Sequence, residues 1–140
     1  VTLAGALNKV GFIPWFAKMV GASMKGADWV VALGVLWLVY MYSHYAFASL
    51  SAHVTAMYAA FLAVAIGAGA PPFLAAMGMG VMSGYMGGLT HYATGPAPIY
   101  YGAGYMTQGE FWKLGFVVSI INMICFLGIG ALWWKLLGLW

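Results

Sequence analysis

Between Trp29 and Gly109 the sequence contains no Asp, Glu, Lys or Arg. A water-facing surface cannot be built from such a stretch, so it is expected to face lipid or other membrane helices. Over the whole chain 5% of residues are charged and 65% are hydrophobic, with a mean hydropathy of +0.95. Ordinary soluble domains carry roughly 25% charged residues, and a soluble fold is set aside on that ground. The cations are scattered lysines, Lys9, Lys18, Lys25, Lys113 and Lys135, and the net charge is +3. With no basic run and no lysines interleaved with stacking aromatics, nucleic acid is not an expected partner. A single cysteine, Cys125, excludes a disulfide framework. Asp28 and Glu110 are the only acids. With both expected in loops, and with no paired carboxylates or Ser/His/Asp set, acid–base catalysis lacks candidates and an enzyme is not expected.

What is present reads as an all-α integral membrane protein. Lys9 and Lys18 interrupt any apolar core near the N-terminus, unlike a signal peptide, and the opening "VTLAGALNKVGFIPWF" reads as the interior of a longer protein. Leu3, Leu7, Val10, Phe12, Phe16, Met19 and Val20 alternate with those lysines, which predicts an interfacial amphipathic helix bent near Gly11 and Pro14. Asp28 is placed to cap the next helix. Trp29 to Phe47 is long enough to cross a bilayer, and Val54 to Ala68 returns as a shorter arm. After the turn at Gly67 to Pro72, Phe73 to Leu89 carries Gly80, Gly84 and Gly88 at four-residue spacing, which predicts close backbone packing. A last span, Phe116 to Leu137, ends on the interfacial Trp133, Trp134 and Lys135. The organisation expected is therefore a connecting helix and loop over 1–27, then a hairpin over 28–70, a broken helix over 71–106 and a final span over 111–137. No short internal repeat is read along the chain.

Two places interrupt helices with small polar residues: Ala48–Thr55 and "THYATGPAP", Thr90–Pro98. In hydrocarbon an unpaired backbone group costs several kcal/mol, so such backbone persists only where protein or a watery cavity satisfies it. Pro96 and Pro98 remove N–H donors and clash with the preceding turn, so the helix must unwind there. Freed carbonyls can hold a cation, and half-helix N-termini present positive dipole ends to an anion. A pair of such breaks is the sequence pattern of a transporter site near the midplane.

"HYATGPAPIYYGAGY" followed by "FWKLGFVVSIIN" resembles the last discontinuous helix and final span of the divalent anion:sodium symporter family, closest to its citrate, tartrate and 2-oxoglutarate/malate translocators. "HYAFASLSAHVTA" is similar to the tip of that branch's second re-entrant hairpin. The resemblance covers the chain and implies the C-terminal third of an elevator-type transporter for small carboxylate anions. It also implies a missing N-terminal part, a homodimer when complete, and residence in the bacterial inner membrane. Family members often carry Ser-Asn-Thr at the tip, where this chain has Ser51, Ala52 and His53. Sodium-coupled members read Ala-Thr-Pro-Pro in the broken helix, where this chain has Ala93, Thr94, Gly95 and Pro96. The implied substrate contacts are Ser51, His53, Thr94, Pro96 and His91. The backbone at Ala93 and Gly95 is available for sodium, the only cofactor left open.

With Asn lost from the tip, His53 gains importance. Its unperturbed pKa of roughly 6.5 would let it hold a proton opposite a carboxylate. That points to an anion exchanger, with sodium-coupled symport as the alternative. His91 is read equally as ligand or helix-cap partner, and His44 as structural. Glu110 and Lys113 are read as a solvated loop pair. The rival classes are a haem- or quinone-binding subunit using His44 and His91, and a non-functional fragment. Lysine counting puts the Pro71 turn in the cytosol, whereas the resemblance puts the hairpin and the C-terminus outside, and the resemblance is preferred.

Overall fold

The computed structural model describes residues 5, 6, 9–23 and 26–140. Leu3, Leu7 and Lys25, used in the sequence reading, lie outside them. Every regular element among the described residues is helical. In chain order these are α1 (Phe12–Ala22), α2 (Trp29–Tyr42), α3 (Leu50–Gly67), α4 (Pro72–Tyr85), α5 (Ala97–Gly102), α6 (Gln108–Cys125) and α7 (Ala131–Leu136). Short 3₁₀ turns extend α2 over Ser43–Ala46 and α4 over Met86–Gly88, and a π-turn over Phe126–Gly130 joins α6 to α7.

Each boundary has a local cause. Gly11 takes φ +79°, a left-handed conformation that suits glycine, and α1 starts immediately after it. The break therefore lies at Gly11. Pro14 sits in the first turn of α1, where its missing N–H costs nothing and no kink is needed. Asp28 caps α2 as expected, its carboxylate accepting from Val30 N–H at 2.8 Å. Pro72 starts α4, at the position where proline is best tolerated. Glu110 is not in a loop: α6 begins at Gln108, and Thr107 and Glu110 form a reciprocal capping box, with Thr107 N–H donating to the Glu110 carboxylate at 2.8 Å. The Thr-x-x-Glu spacing carried that signal in the sequence.

Runs of 18 residues, Trp29–Ala46 and Leu50–Gly67, are long and apolar enough to cross a membrane. At ~1.5 Å per residue they span about 27 Å against a hydrocarbon core of about 30 Å. Val54 to Ala68 thus underestimated the second arm, which starts at Leu50 and is capped by Ser49. The third candidate, Gln108–Leu136, has 29 residues, longer than the core, so it must tilt or project. It carries a broad exposed apolar surface that includes Val117, Ile121, Ile124 and Leu132.

The core lies among α2, α3 and α4, with α1 laid along α3 and α6–α7 closing the far side. Tyr40, Phe61, Met41, Met79 and Met82 fill its centre. The methionines pack irregular gaps between the glycine-rich α4 and its neighbours. Trp37 anchors the other end, edge-on to Phe126 at 5.0 Å and Trp134 at 5.9 Å. The π-turn puts Phe126 into that cluster.

The glycines that admit close contacts differ from the predicted stripe. Gly80, Gly84 and Gly88 face open space, with nothing within 4 Å of where a Cβ would sit. Gly78 instead receives the Trp37 ring, and Gly115 receives the backbone carbonyls of Gly88 and Leu89. Within this chain the expected close backbone packing thus occurs at Gly88, through its carbonyl, and not at Gly80 or Gly84.

Candidate functional site

The hairpin tip forms where α2 tightens into 3₁₀ geometry and the chain turns extended at Phe47, φ −121°. Ser49, also extended, caps α3, its Oγ accepting from Ala52 N–H at 3.5 Å. Small residues at Ala46 and Ala48 keep this turn compact. Ser51 and Thr55 are exposed in the first turns of α3, whereas His53 points inward and is fully buried.

The His53 ring is closely enclosed. It stacks on Tyr40 with centroids 4.7 Å apart, meets Phe47 at 4.7 Å, and lies 5.1 Å from the His44 ring. The single hydrogen of the Ser43 hydroxyl goes to the Tyr40 carbonyl at 2.8 Å. The His53 Nε2–H therefore donates to Ser43 Oγ, at 3.0 Å. Nδ1 sits 3.1 Å from the Met86 sulfur, on the 3₁₀ turn that ends α4. With the hydrogen on Nε2, Nδ1 carries only a lone pair and the Met86 thioether has no hydrogen to give it, so Nε2 alone is hydrogen-bonded within the chain. No acidic side chain exists between Trp29 and Gly109 to pair with the ring.

The second break follows the Met86–Gly88 turn. Between Leu89 and Pro96 the backbone makes isolated turns, Ala93 N–H to the Thr90 carbonyl at 3.1 Å and Ala97 N–H to that of Thr94 at 3.2 Å. Pro96 then leads into the six-residue α5, as its fixed φ favours. Thr94 is half-buried; its hydroxyl points at the Gly87 carbonyl, 3.4 Å away, and its methyl occupies the space that a Cβ on Gly87 would need. Gly95 and Pro96 are exposed and Ala93 is fully buried.

The structure brings the two breaks together. His44, fully buried, places Nε2 3.2 Å from the Ala93 carbonyl, and since a carbonyl only accepts, Nε2 carries the hydrogen. Tyr92 returns the contact, its hydroxyl donating to the Tyr45 carbonyl at 2.8 Å. Contrary to the reading of a repeat-free chain, the tripeptide His-Tyr-Ala occurs at both breaks, at 44–46 and 91–93, each time after a hydroxyl residue. One copy supplies the histidine donor and the other the tyrosine donor, so the two triplets hold each other crosswise.

His91 differs from its counterpart. Its Nδ1 accepts from the Trp112 indole N–H at 3.0 Å, and its ring packs on Tyr101 at 4.7 Å. The side chain thus ties the second break to α6. His44 and His91 do not face each other as a shared haem site requires: one ring faces His53, the other faces Trp112. Among the described residues no cluster of three or more His, Cys, Asp or Glu is placed to hold a metal ion.

The fit to sodium can be judged from the proposed carbonyls. Sodium is a hard cation that takes oxygen ligands, but the Ala93 oxygen already accepts from His44, whose Nε2–H presents a positive dipole end to any approaching cation. The Thr94 hydroxyl is turned to Gly87. As arranged here, the Ala93 carbonyl does not fit a sodium ion. An apolar cavity of about 320 Å³, lined by Phe12, Ile13, Phe16, Ser43, Ala46, Phe47 and Met57, opens on the other side of the tip and has no charged lining.

Residues 1–140 match a family described as the sodium:sulfate symporter transmembrane region. The chain is 51% identical along its whole length to dicarboxylate transporter 1, chloroplastic, of Spinacia oleracea, covering 25% of that protein. It is 47% identical to dicarboxylate transporter 1, chloroplastic, of Arabidopsis thaliana, covering 26%. To the citrate/succinate antiporter of Escherichia coli it is 39% identical, covering 28%. The chain thus spans about a quarter of the length of these relatives.

Proposed function

Since the chain belongs to the sodium:sulfate symporter family, we propose that it forms the C-terminal half of a transport domain that moves di- or tricarboxylates across a membrane. Citrate, succinate, malate and 2-oxoglutarate define the substrate class, and one anion is exchanged for another as the domain moves as an elevator. The carrying observation is the meeting of two helix breaks with no charged side chain in either. An anion there must be recognised by hydroxyls, backbone N–H groups and helix dipoles. The N-terminus of the 18-residue α3 supplies such a dipole, and Ser51 and Thr94 supply hydroxyls, with Pro96 two residues beyond Thr94. Relatives named as dicarboxylate transporters and as a citrate/succinate antiporter support both the substrate class and exchange.

In this reading the 28–70 hairpin is re-entrant, the 71–106 helix is broken at the substrate, and the 111–137 span packs behind it. Residues 1–27 connect at the interface, where exposed Phe12 and Trp15 accompany Lys18. An N-terminal part completes the site, and the whole assembles as a homodimer in a bacterial inner membrane. The chloroplast relatives make a plastid membrane the alternative. Sodium-coupled symport is the second reading, favoured by the family's own description. His53 is assigned to shaping the tip from beneath rather than to carrying a proton opposite the substrate, because its ring is fully buried among Tyr40, Phe47 and His44 and its Nε2–H is given to Ser43.

Ser51→Cys in the complete reading frame, with Cys125 replaced by serine, tests the placement. A dicarboxylate is expected to slow labelling of the introduced thiol by a membrane-impermeant reagent at least fivefold. Equal rates with and without dicarboxylate would remove Ser51 from the site. Trp112→Phe asks the parallel question of His91. The substitution removes one indole donor, worth about 1 kcal/mol, so a lowered melting temperature with KM within twofold of wild type is expected. A tenfold rise in KM would instead make His91 part of substrate recognition.

A further inference from the structure

We infer that His44 is a positioning residue whose Nε2–H, donated to the Ala93 carbonyl, stands where a coupling cation would otherwise hold the hairpin tip against the broken helix. The inference rests on the reading of the two breaks as a transport site and goes beyond it by assigning a residue to the coupling mode.

A break in a helix at membrane depth leaves carbonyls that must be satisfied by something. A cation does this by binding oxygens from both segments at once, which also fixes their spacing. In this chain the same task falls to side chains. His44 reaches from the 3₁₀ turn of the tip to Ala93, 3.2 Å away, and Tyr92 reaches from the break back to Tyr45, 2.8 Å away. Both contacts cross between the segments, the first residue of one His-Tyr-Ala triplet and the second residue of the other serving as donors. The His44 ring is wholly enclosed and faces His53, which itself bridges to Ser43 and to Met86 on the end of α4. The tip and the break are thus held by permanent protein groups, and the Ala93 oxygen is withdrawn from ion binding. A carbonyl has two lone pairs, so occupancy alone would not bar an ion; the outward N–H dipole on one of them does so electrostatically.

The two donors predict different responses. His44→Ala frees Ala93, the carbonyl at the break, and opens it to a cation. Tyr92→Phe frees Tyr45, on the tip, and leaves Ala93 bonded. His44→Gln keeps an N–H donor of comparable reach.

The complete reading frame is purified in wild-type and variant forms, and melting is followed in sodium chloride and in choline chloride at equal ionic strength. Exchange of a labelled dicarboxylate in proteoliposomes is measured in the same two salts. Wild type and Tyr92→Phe are expected to melt alike in both salts. His44→Ala is expected to melt at least 3 °C higher in sodium. Its KM in choline is expected to rise at least tenfold with kcat within threefold, part of the rise being recovered by sodium. His44→Gln should return KM to within threefold of wild type. Sodium-insensitive melting of His44→Ala overturns the inference, as does a KM unchanged from wild type or a failure of His44→Gln to rescue. Sodium stabilisation of the wild-type protein also overturns it. If no form exchanges dicarboxylates, the transport reading fails, while the melting comparison still decides the role of His44.

Discussion

Gly115→Val is expected to reduce folded, transport-competent protein at least tenfold. A Cβ at this position would lie 2.8 Å from the Leu89 carbonyl oxygen and closer still to that of Gly88. These neighbours are backbone, at the point where α4 gives way to the break, so they cannot swing aside as a flexible side chain would. Overpacking a core typically costs about 1–3 kcal/mol, and a clash with backbone belongs at or above that upper end. Against a net stability of about 5–15 kcal/mol such a loss is large. Any accommodation would push α6 away from Leu89 and disturb the Trp112–His91 hydrogen bond in the same contact. Gly109→Ala, in the exposed first turn of the same helix with nothing within 4 Å, should instead be neutral or gain up to about 1 kcal/mol. Detergent-solubilised yield and melting temperature separate the two cases, and equal behaviour would mean that α6 does not seat on the break.

Ser51→Ala combined with Thr94→Val is expected to raise the dicarboxylate KM by about a hundredfold, with the protein still folded. Valine keeps the methyl that fills the space over Gly87 and removes only the hydroxyl. Alanine at 51 leaves the Ser49 cap and the buried face of α3 untouched. Each hydroxyl lost from a charged partner is worth about 1.5–3 kcal/mol, and 1.4 kcal/mol corresponds to a factor of ten. Each single variant should therefore show about a tenfold rise. Wild-type KM in the double variant, with unchanged melting, would place the substrate away from both breaks.

The sequence disclosed the membrane class, because the absence of charge between Trp29 and Gly109 admits no other surface. Caps and prolines also marked boundaries well, since Asp28, Pro72 and Pro96 act through neighbours a few residues away; the Thr107 capping box is equally local but read as loop. Packing partners were far less legible. The Gly80, Gly84 and Gly88 stripe looked like a contact face, yet within this chain only Gly88 joins a close approach, through its carbonyl against Gly115, while Gly78 takes the Trp37 ring. Spacing along one helix says nothing of what stands opposite it.

The histidines show the same limit. His53 read as a free group at a break, but helix phase turns it into the core, 3.0 Å from Ser43 and 3.1 Å from the Met86 sulfur. His44 read as structural, and only the long-range contact to Ala93 reveals what it holds. The duplicated His-Tyr-Ala was visible in the letters all along. Its meaning depends on a crossing of segments separated by dozens of residues, which local pattern cannot supply.

Counterflow of labelled citrate, succinate and 2-oxoglutarate by the complete protein in proteoliposomes tests the central claim most directly. Liposomes would be loaded with or without unlabelled dicarboxylate, in sodium or in choline. The account predicts uptake only into loaded vesicles, equal in the two salts. Uptake into empty vesicles that requires sodium would contradict it, keeping the family while removing exchange and the protein-held junction between the two breaks.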